Sequence, residues 1–163
     1  MSAARLALAA GAFAVCAVFG AVRRAEREAG RKRLESVSAD ISALRVKLAD
    51  GRLPLGRIAS ELAASGQNAG YWRGVSEAMA RGLSFGEAAP PVPGLDSEAD
   101  EILRSLFAGL GGGSLRAEEE RIERAERGLR ALLEKRTREL EKRGGLINSL
   151  SLLAGLAAAL LIL

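Results

Sequence analysis

The fold class this sequence predicts is all-α: a helical bundle flanked by an N-terminal and a C-terminal transmembrane helix. Three observations carry that reading. Apolar residues recur at spacings of three and four through the middle of the chain, which is the period of one helix face. No stretch shows the two-residue alternation of a half-buried strand. Residues 6–22 and 144–163 carry no charge at all.

The chain therefore divides into an N-terminal transmembrane helix over 1–22, a helical bundle over 23–143 and a C-terminal transmembrane helix over 144–163. A bilayer core takes about 20 apolar residues of helix, with roughly 17 as the short limit. The C-terminal run meets the first figure and the N-terminal run the second. A base followed by an apolar stretch also describes a cleaved signal peptide, with Gly20 and Ala21 as small residues for the peptidase. The residues that follow argue for retention. Arg23, Arg24, Arg27, Arg31, Lys32 and Arg33 form a dense basic cluster of the kind held on the cytoplasmic side. Lys135, Arg136, Arg138, Lys142 and Arg143 mirror it before the second run. Both flanks point into the central segment. The expected localisation is the cell membrane, with two spans, a cytoplasmic domain and both termini outside.

Within the central segment each helix has its own signal. Leu34, Val37, Ile41, Leu44 and Leu48 make one apolar stripe on a helix that runs on from the first span and stops at Asp50-Gly51. Pro54 suits the first turn of the next helix, which carries Leu55, Ile58 and Leu62 to about Ser65. A third, over about 70–81, buries Trp72, Val75 and Met79 and is ended by Gly82. Ser84 caps a short turn carrying Phe85, and Pro90, Pro91 and Pro93 impose an extended linker. Ser97 with Asp100 then reads as a capping box before Ile102, Leu103, Leu106 and Phe107. Gly109, Gly111, Gly112 and Gly113 break the chain. The last helix of the bundle, over 115–143, extends about 43 Å at 1.5 Å per residue. It packs a thin set: Leu115, Ile122, Ala125, Leu129, Leu132, Leu133 and Leu140. Glu120–Arg124, Glu123–Arg127 and Glu126–Arg130 stand at the favourable i,i+4 spacing along its wet face.

Composition excludes much chemistry. The chain has no histidine and one cysteine, so a Ser-His-Asp triad, an imidazole metal ligand and an intramolecular disulfide are all impossible. Cys16 lies in the first apolar run, where desolvation disfavours a thiolate. The Gly109–Gly113 stretch lacks the Lys-Ser/Thr of a phosphate loop. Glu118, Glu119 and Glu120 are consecutive on a helix, point in three directions and build no metal site. The net charge of +4 arises from 24 bases and 20 acids, and all of them except Arg5 interleave through the central segment. Phosphate binding needs a basic stripe, and only six aromatics are available for base stacking. No enzyme, no cofactor, no metal, no small-molecule substrate and no nucleic-acid partner are expected.

The order of these features resembles the stage III sporulation protein AB family, over essentially the whole chain. The matching elements are the N-terminal span with its basic exit and the Leu48-Ala-Asp-Gly-Arg-Leu-Pro54-Leu55 segment. Next comes Gly82-Leu-Ser84-Phe-Gly-Glu87-Ala88, which looks like the family's Gly-x-Ser-x-x-Glu-Ala stretch. The Leu110-Gly111 break opens the long charged helix, and a Gly-rich end follows Arg143. The chain departs from the family pattern at Leu115, which stands at an Asp position, and near Glu119, at a Gln position. The resemblance implies a non-catalytic membrane platform in the secretion-like complex that links mother cell and forespore. Its soluble domain would be similar to those of type II secretion and type IV pilus platform proteins, with a cytoplasmic secretion-type ATPase and other sporulation-complex proteins as partners.

Loops and polar helix faces carry contacts when apolar stripes are occupied. On that ground Ser84 and Glu87 of the short turn and Glu119 and Glu123 of the long helix are the candidate partner-binding residues. The alternative is a double-anchored coiled-coil scaffold that self-associates through the long helix. Pro90, Pro91 and Pro93 weigh against a continuous rod.

Overall fold

A computed structural model describes the backbone of residues 3–50 and 53–162 and the side chains of Val18, 21–50 and 53–142. Six helices follow one another: α1 (Ala3–Ala49), α2 (Leu55–Ser65), α3 (Ala69–Ala80), α4 (Phe85–Ala88), α5 (Ser97–Ala108) and α6 (Leu115–Ile162). Among the described residues there is no strand, as the periodicity requires.

The expectation of two membrane-spanning helices is corrected. Among the described residues no helix is long and apolar enough to cross a membrane. The described side chains show why. From 23 to 49 of α1 and from 115 to 142 of α6, no uncharged stretch exceeds four residues. The two-span localisation is overturned by the same finding. The uncharged runs on which it rested lie almost wholly outside the residues whose side chains are described, as does Cys16. Neither run is a separate helix: residues 6–22 belong to α1 and 144–163 fall within or just beyond α6.

The chain forms two compact units, Gly30–Glu134 and a second made of Met1–Ala29 with Lys135–Leu163. The first holds the candidate residues and the described core. Its α1 stripe is fully seated, with Leu34, Val37, Ile41, Leu44 and Leu48 all buried. Ile58 and Leu62 of α2, Val75 of α3, Leu103 and Leu106 of α5, and Ile122, Leu129 and Leu132 of α6 complete the interior. Each such side chain contributes about 1.5–3 kcal/mol by leaving water. α2 packs on α3, α3 on α4 and α4 on α5, so chain neighbours are spatial neighbours. Between them stands a cluster of four of the six aromatics. Trp72 lies 5.4 Å from Tyr71 and 6.3 Å from Phe107, both edge to face, and Phe85 sits 5.4 Å from Phe107.

α6 runs on past the end expected at Arg143, and the helices otherwise follow the sequence signals with three differences. Pro54 is the N-cap of α2, its carbonyl accepting the Arg57 and Ile58 amides at 2.8 and 3.1 Å. The expected stop of α1 at Asp50-Gly51 agrees with its end at Ala49, although Gly51 lies outside the described residues. The first difference is at α5. Its cap is Asp96, which accepts the Ala99 amide at 2.9 Å, one residue before the expected Ser97. Two acceptors competed for the cap, and the carboxylate took it with its charge at the positive end of the helix. Second, Met79 is only partly buried and Ala78 lies in the core beside Val75. Third, Leu115 is 45 % exposed, because the first residue of a helix precedes the turn at which its face is set against the core.

The proline linker is extended and is fastened at both ends. Val92 is buried. The Tyr71 hydroxyl donates to the Pro90 carbonyl at 3.0 Å, and the Arg33 guanidinium donates to the Pro93 carbonyl at 2.8 Å. Proline offers no amide, so the linker binds through its carbonyls, and the donors come from side chains of α3 and α1.

Candidate functional site

Ser84 and Glu87 are brought together, Phe85 being the first residue of α4 and Ser84 its cap. One oxygen of Glu87, Oε2, accepts the Ser84 amide at 3.0 Å and the Ser84 hydroxyl at 2.6 Å. The sequence Ser-x-x-Glu places that carboxylate one turn above the cap, which is why the loop folds this way locally. Those two hydrogen bonds, the hydroxyl first and the amide second, hold the Glu87 carboxyl below the usual carboxylate range. Phe85 and Ala88 point inward and anchor the turn in the aromatic cluster, while Leu83, Ser84 and Glu87 face solvent. A Cβ on Gly86 would lie 3.0 Å from the Ala108 Cα, so a side chain there would push α4 off the end of α5. The turn is thus a rigid, polar, outward-facing knob.

Glu119 and Glu123 lie on successive turns of α6, and no described contact joins them to Ser84 or Glu87. Glu119 is half-buried. Glu123 is engaged within the bundle, since Arg45 of α1 lies 3.6 Å from it and 3.2 Å from Glu126. The expected i,i+4 ladder of α6 is therefore redrawn. Glu123 and Glu126 reach across to α1, and Glu120 pairs backward with Arg116 at 3.4 Å. Glu126 is almost wholly buried, and a guanidinium from a neighbouring helix meets it where Arg130, on the wet face, does not.

Three further polar side chains form a connected cluster within the bundle, with Asp40 buried and Asn68 and Ser36 half-buried. Asp40 is 4 % exposed, and its Oδ2 accepts from the Trp72 indole Nε1 at 2.8 Å and from the Asn68 Nδ2 at 2.7 Å. Asn68 Nδ2 also donates to the Ser36 hydroxyl at 2.8 Å. A buried carboxylate is tolerable only when hydrogen bonded, and here neutral donors 28 and 32 residues away supply the bonds. The signal was present: an acid one position before Ile41 on an apolar stripe, in a chain with a single tryptophan. Beside it lies a cavity of about 10 Å³, lined by Val37, Ile41, Tyr71, Val92 and Phe107 among others. It has room for about one water molecule and none for a metabolite.

Glu118, also buried, clamps the glycine break. Its Oε1 accepts the Gly111 amide at 2.8 Å, and Arg121 donates to the Gly109 carbonyl. Gly111 has φ +87°, a conformation in which a side chain is strained, and this is what the break needs glycine for. Glycines that suggested a phosphate loop are thus held shut by a carboxylate. Among the described residues no three of His, Cys, Asp and Glu gather to hold a metal ion.

The family model for stage III sporulation protein AB matches residues 5–163, and the chain belongs to that family. Its function therefore lies in stage III of sporulation. No curated protein and no solved structure matches the chain.

Proposed function

We propose that this chain is a non-catalytic docking component of a secretion-like sporulation complex, and that it receives a cytoplasmic secretion-type ATPase on the Ser84–Glu87 turn. The observation that carries this reading is the construction of that turn. Phe85 fixes it in the aromatic cluster, and Leu83, Ser84 and Glu87 are left outward on a backbone that has little freedom. A rigid element that spends its inward residues on the core and offers a polar rim around an exposed Leu suits recognition better than turnover. The buried carboxylates Asp40, Glu118 and Glu126 support the same reading. Each is bound to a donor of the bundle itself, which leaves none poised in a cleft as an acid or base.

The test is photo-crosslinking in sporulating cells with the probe in place of Glu87. Adducts to a secretion-type ATPase or to another member of the complex are expected. Adducts formed only between copies of this chain would replace the docking role with a self-associating scaffold.

A further inference from the structure

Arg124, Arg127 and Arg130 stand three residues apart on α6 and all three are exposed. At about 100° per residue they span roughly 120° of the helix, centred opposite the buried line of Ile122, Ala125, Leu129 and Leu132. Each has a glutamate four residues before it, the arrangement that ordinarily neutralises such arginines. In the folded chain every one of those glutamates is drawn elsewhere: Glu120 to Arg116, and Glu123 and Glu126 to Arg45 of α1. Among the described residues no carboxylate or hydrogen-bond acceptor is paired with any of the three guanidinium groups. The packing of α1 against α6 has thus turned a charge-balanced helix into one with an uncompensated cationic ridge.

We propose that this ridge is an interaction surface for a protein partner that presents an acidic helix face, with carboxylates one turn apart. The proposal rests on the reading that the chain docks proteins, and it adds a second surface and the chemistry of what that surface accepts. Two features select an acidic protein over a phosphate polymer. The planar fork of arginine pairs two bonds at a time with carboxylates and phosphates alike, and the spacing is what favours a protein: steps of about 4.5 Å along the axis match carboxylates on successive turns of a partner helix. The ridge is also bordered by Glu120, Glu123 and Glu134, which break the continuous positive field that nucleic acid binding requires.

The experiment uses the full chain in sporulating cells, with a photo-reactive residue in place of Ala131, which is exposed on the same face. It is run with the native ridge and with Arg127→Glu, and in parallel with the probe at Glu87. Expected are adducts from position 131 to a partner peptide with Asp or Glu on one helix face. Arg127→Glu should lower their yield at least about tenfold, and exchange of the partner's facing acid for Lys should restore it. Circular dichroism of Arg127→Glu should match the parent, since no described contact is lost. Adducts to nucleic acid, to a second copy of this chain, or to a protein whose capture survives Arg127→Glu would overturn the proposal. If position 131 yields nothing while position 87 captures complex members, the ridge is wrong and the docking role stands. If neither position captures a protein, both fall.

Discussion

Asp40 and Glu87 make the same local arrangement in opposite surroundings. In each, one carboxylate oxygen takes two donors: Trp72 and Asn68 for Asp40, and the amide and hydroxyl of Ser84 for Glu87. Asp40 is buried and its donors come from 28 and 32 residues along the chain, so its bonds close long loops and tie α1 to the start of α3. Glu87 is exposed, and its donor is three residues away. Bonds of similar kind therefore differ in what they hold. One fixes tertiary structure, and the other fixes the conformation of a single turn. In water the exposed pair competes with solvent at every moment, whereas the buried Trp72 indole has only Asp40 as its acceptor.

This difference can be broken most sharply at its buried end. Asp40→Ala leaves the buried Trp72 indole without its acceptor and Asn68 with Ser36 alone, and should cost about 3 kcal/mol of unfolding free energy. Urea unfolding followed at Trp72 measures it directly, since that is the only tryptophan and its emission should also shift. A change smaller than that of a surface substitution would show that the centre is not what ties α1 to α3.

Glu126 is the intermediate case, buried like Asp40 but satisfied by a charged partner whose side chain is 42 % exposed. Glu126→Gln should cost about 1 kcal/mol, reduced because solvent screens the Arg45 side of the pair. The same variant in high salt should lie closer to the parent. Equal costs at Asp40 and Glu126 would make burial alone, and not the number of donors lost, the deciding quantity.

Tyr71 extends the comparison to a neutral donor. Burial first, and the charge of Asp100 second, push its hydroxyl well above the ordinary value of 10.0. A folded-state value raised in this way contributes stability that is complete below the unfolded value and lost as pH rises through the folded one. As Tyr71 is the only tyrosine, phenolate absorbance should stay flat through pH about 10 and appear together with loss of helical circular dichroism. Phenolate forming at ordinary pH in a folded chain would mean that the Pro90 contact opens freely.

The smallest effect is expected at Glu87. Its folded-state value is lowered, so its contribution is complete above the unfolded value and fades as pH falls through the folded one. Glu87→Gln should weaken the chain slightly at neutral pH, and the gap should close in acid. A gap that persists in acid would assign the loss to packing of the turn in place of its hydrogen bonds.

Much of this was legible because it is local. A stripe at 34, 37, 41, 44 and 48 can face only one side of a helix, Pro54 can start a helix and not continue one, and Ser84 followed by Glu87 closes its own turn. The helix end expected at Arg143 is not seen, for a related reason. Absence of charge marks a change of environment, but it breaks no backbone hydrogen bond, and α6 continues through it. The same inference from uncharged runs produced the two membrane spans, and no described helix supports them.

By itself the sequence determined which segments between residues 30 and 134 are helical, nearly where those helices begin and end, and which face of each is apolar. Those properties depend on residues within a turn or two of one another. Only the tertiary structure decided the partners of the ionisable groups. Asp40 looks like a misplaced surface residue until Trp72 is laid across it, and Glu123 and Glu126 look paired along α6 until Arg45 arrives from α1. A charge has no preferred direction along the chain, so its partner is whichever opposite group or donor packing brings nearest. In this bundle that choice left Arg124, Arg127 and Arg130 facing outward.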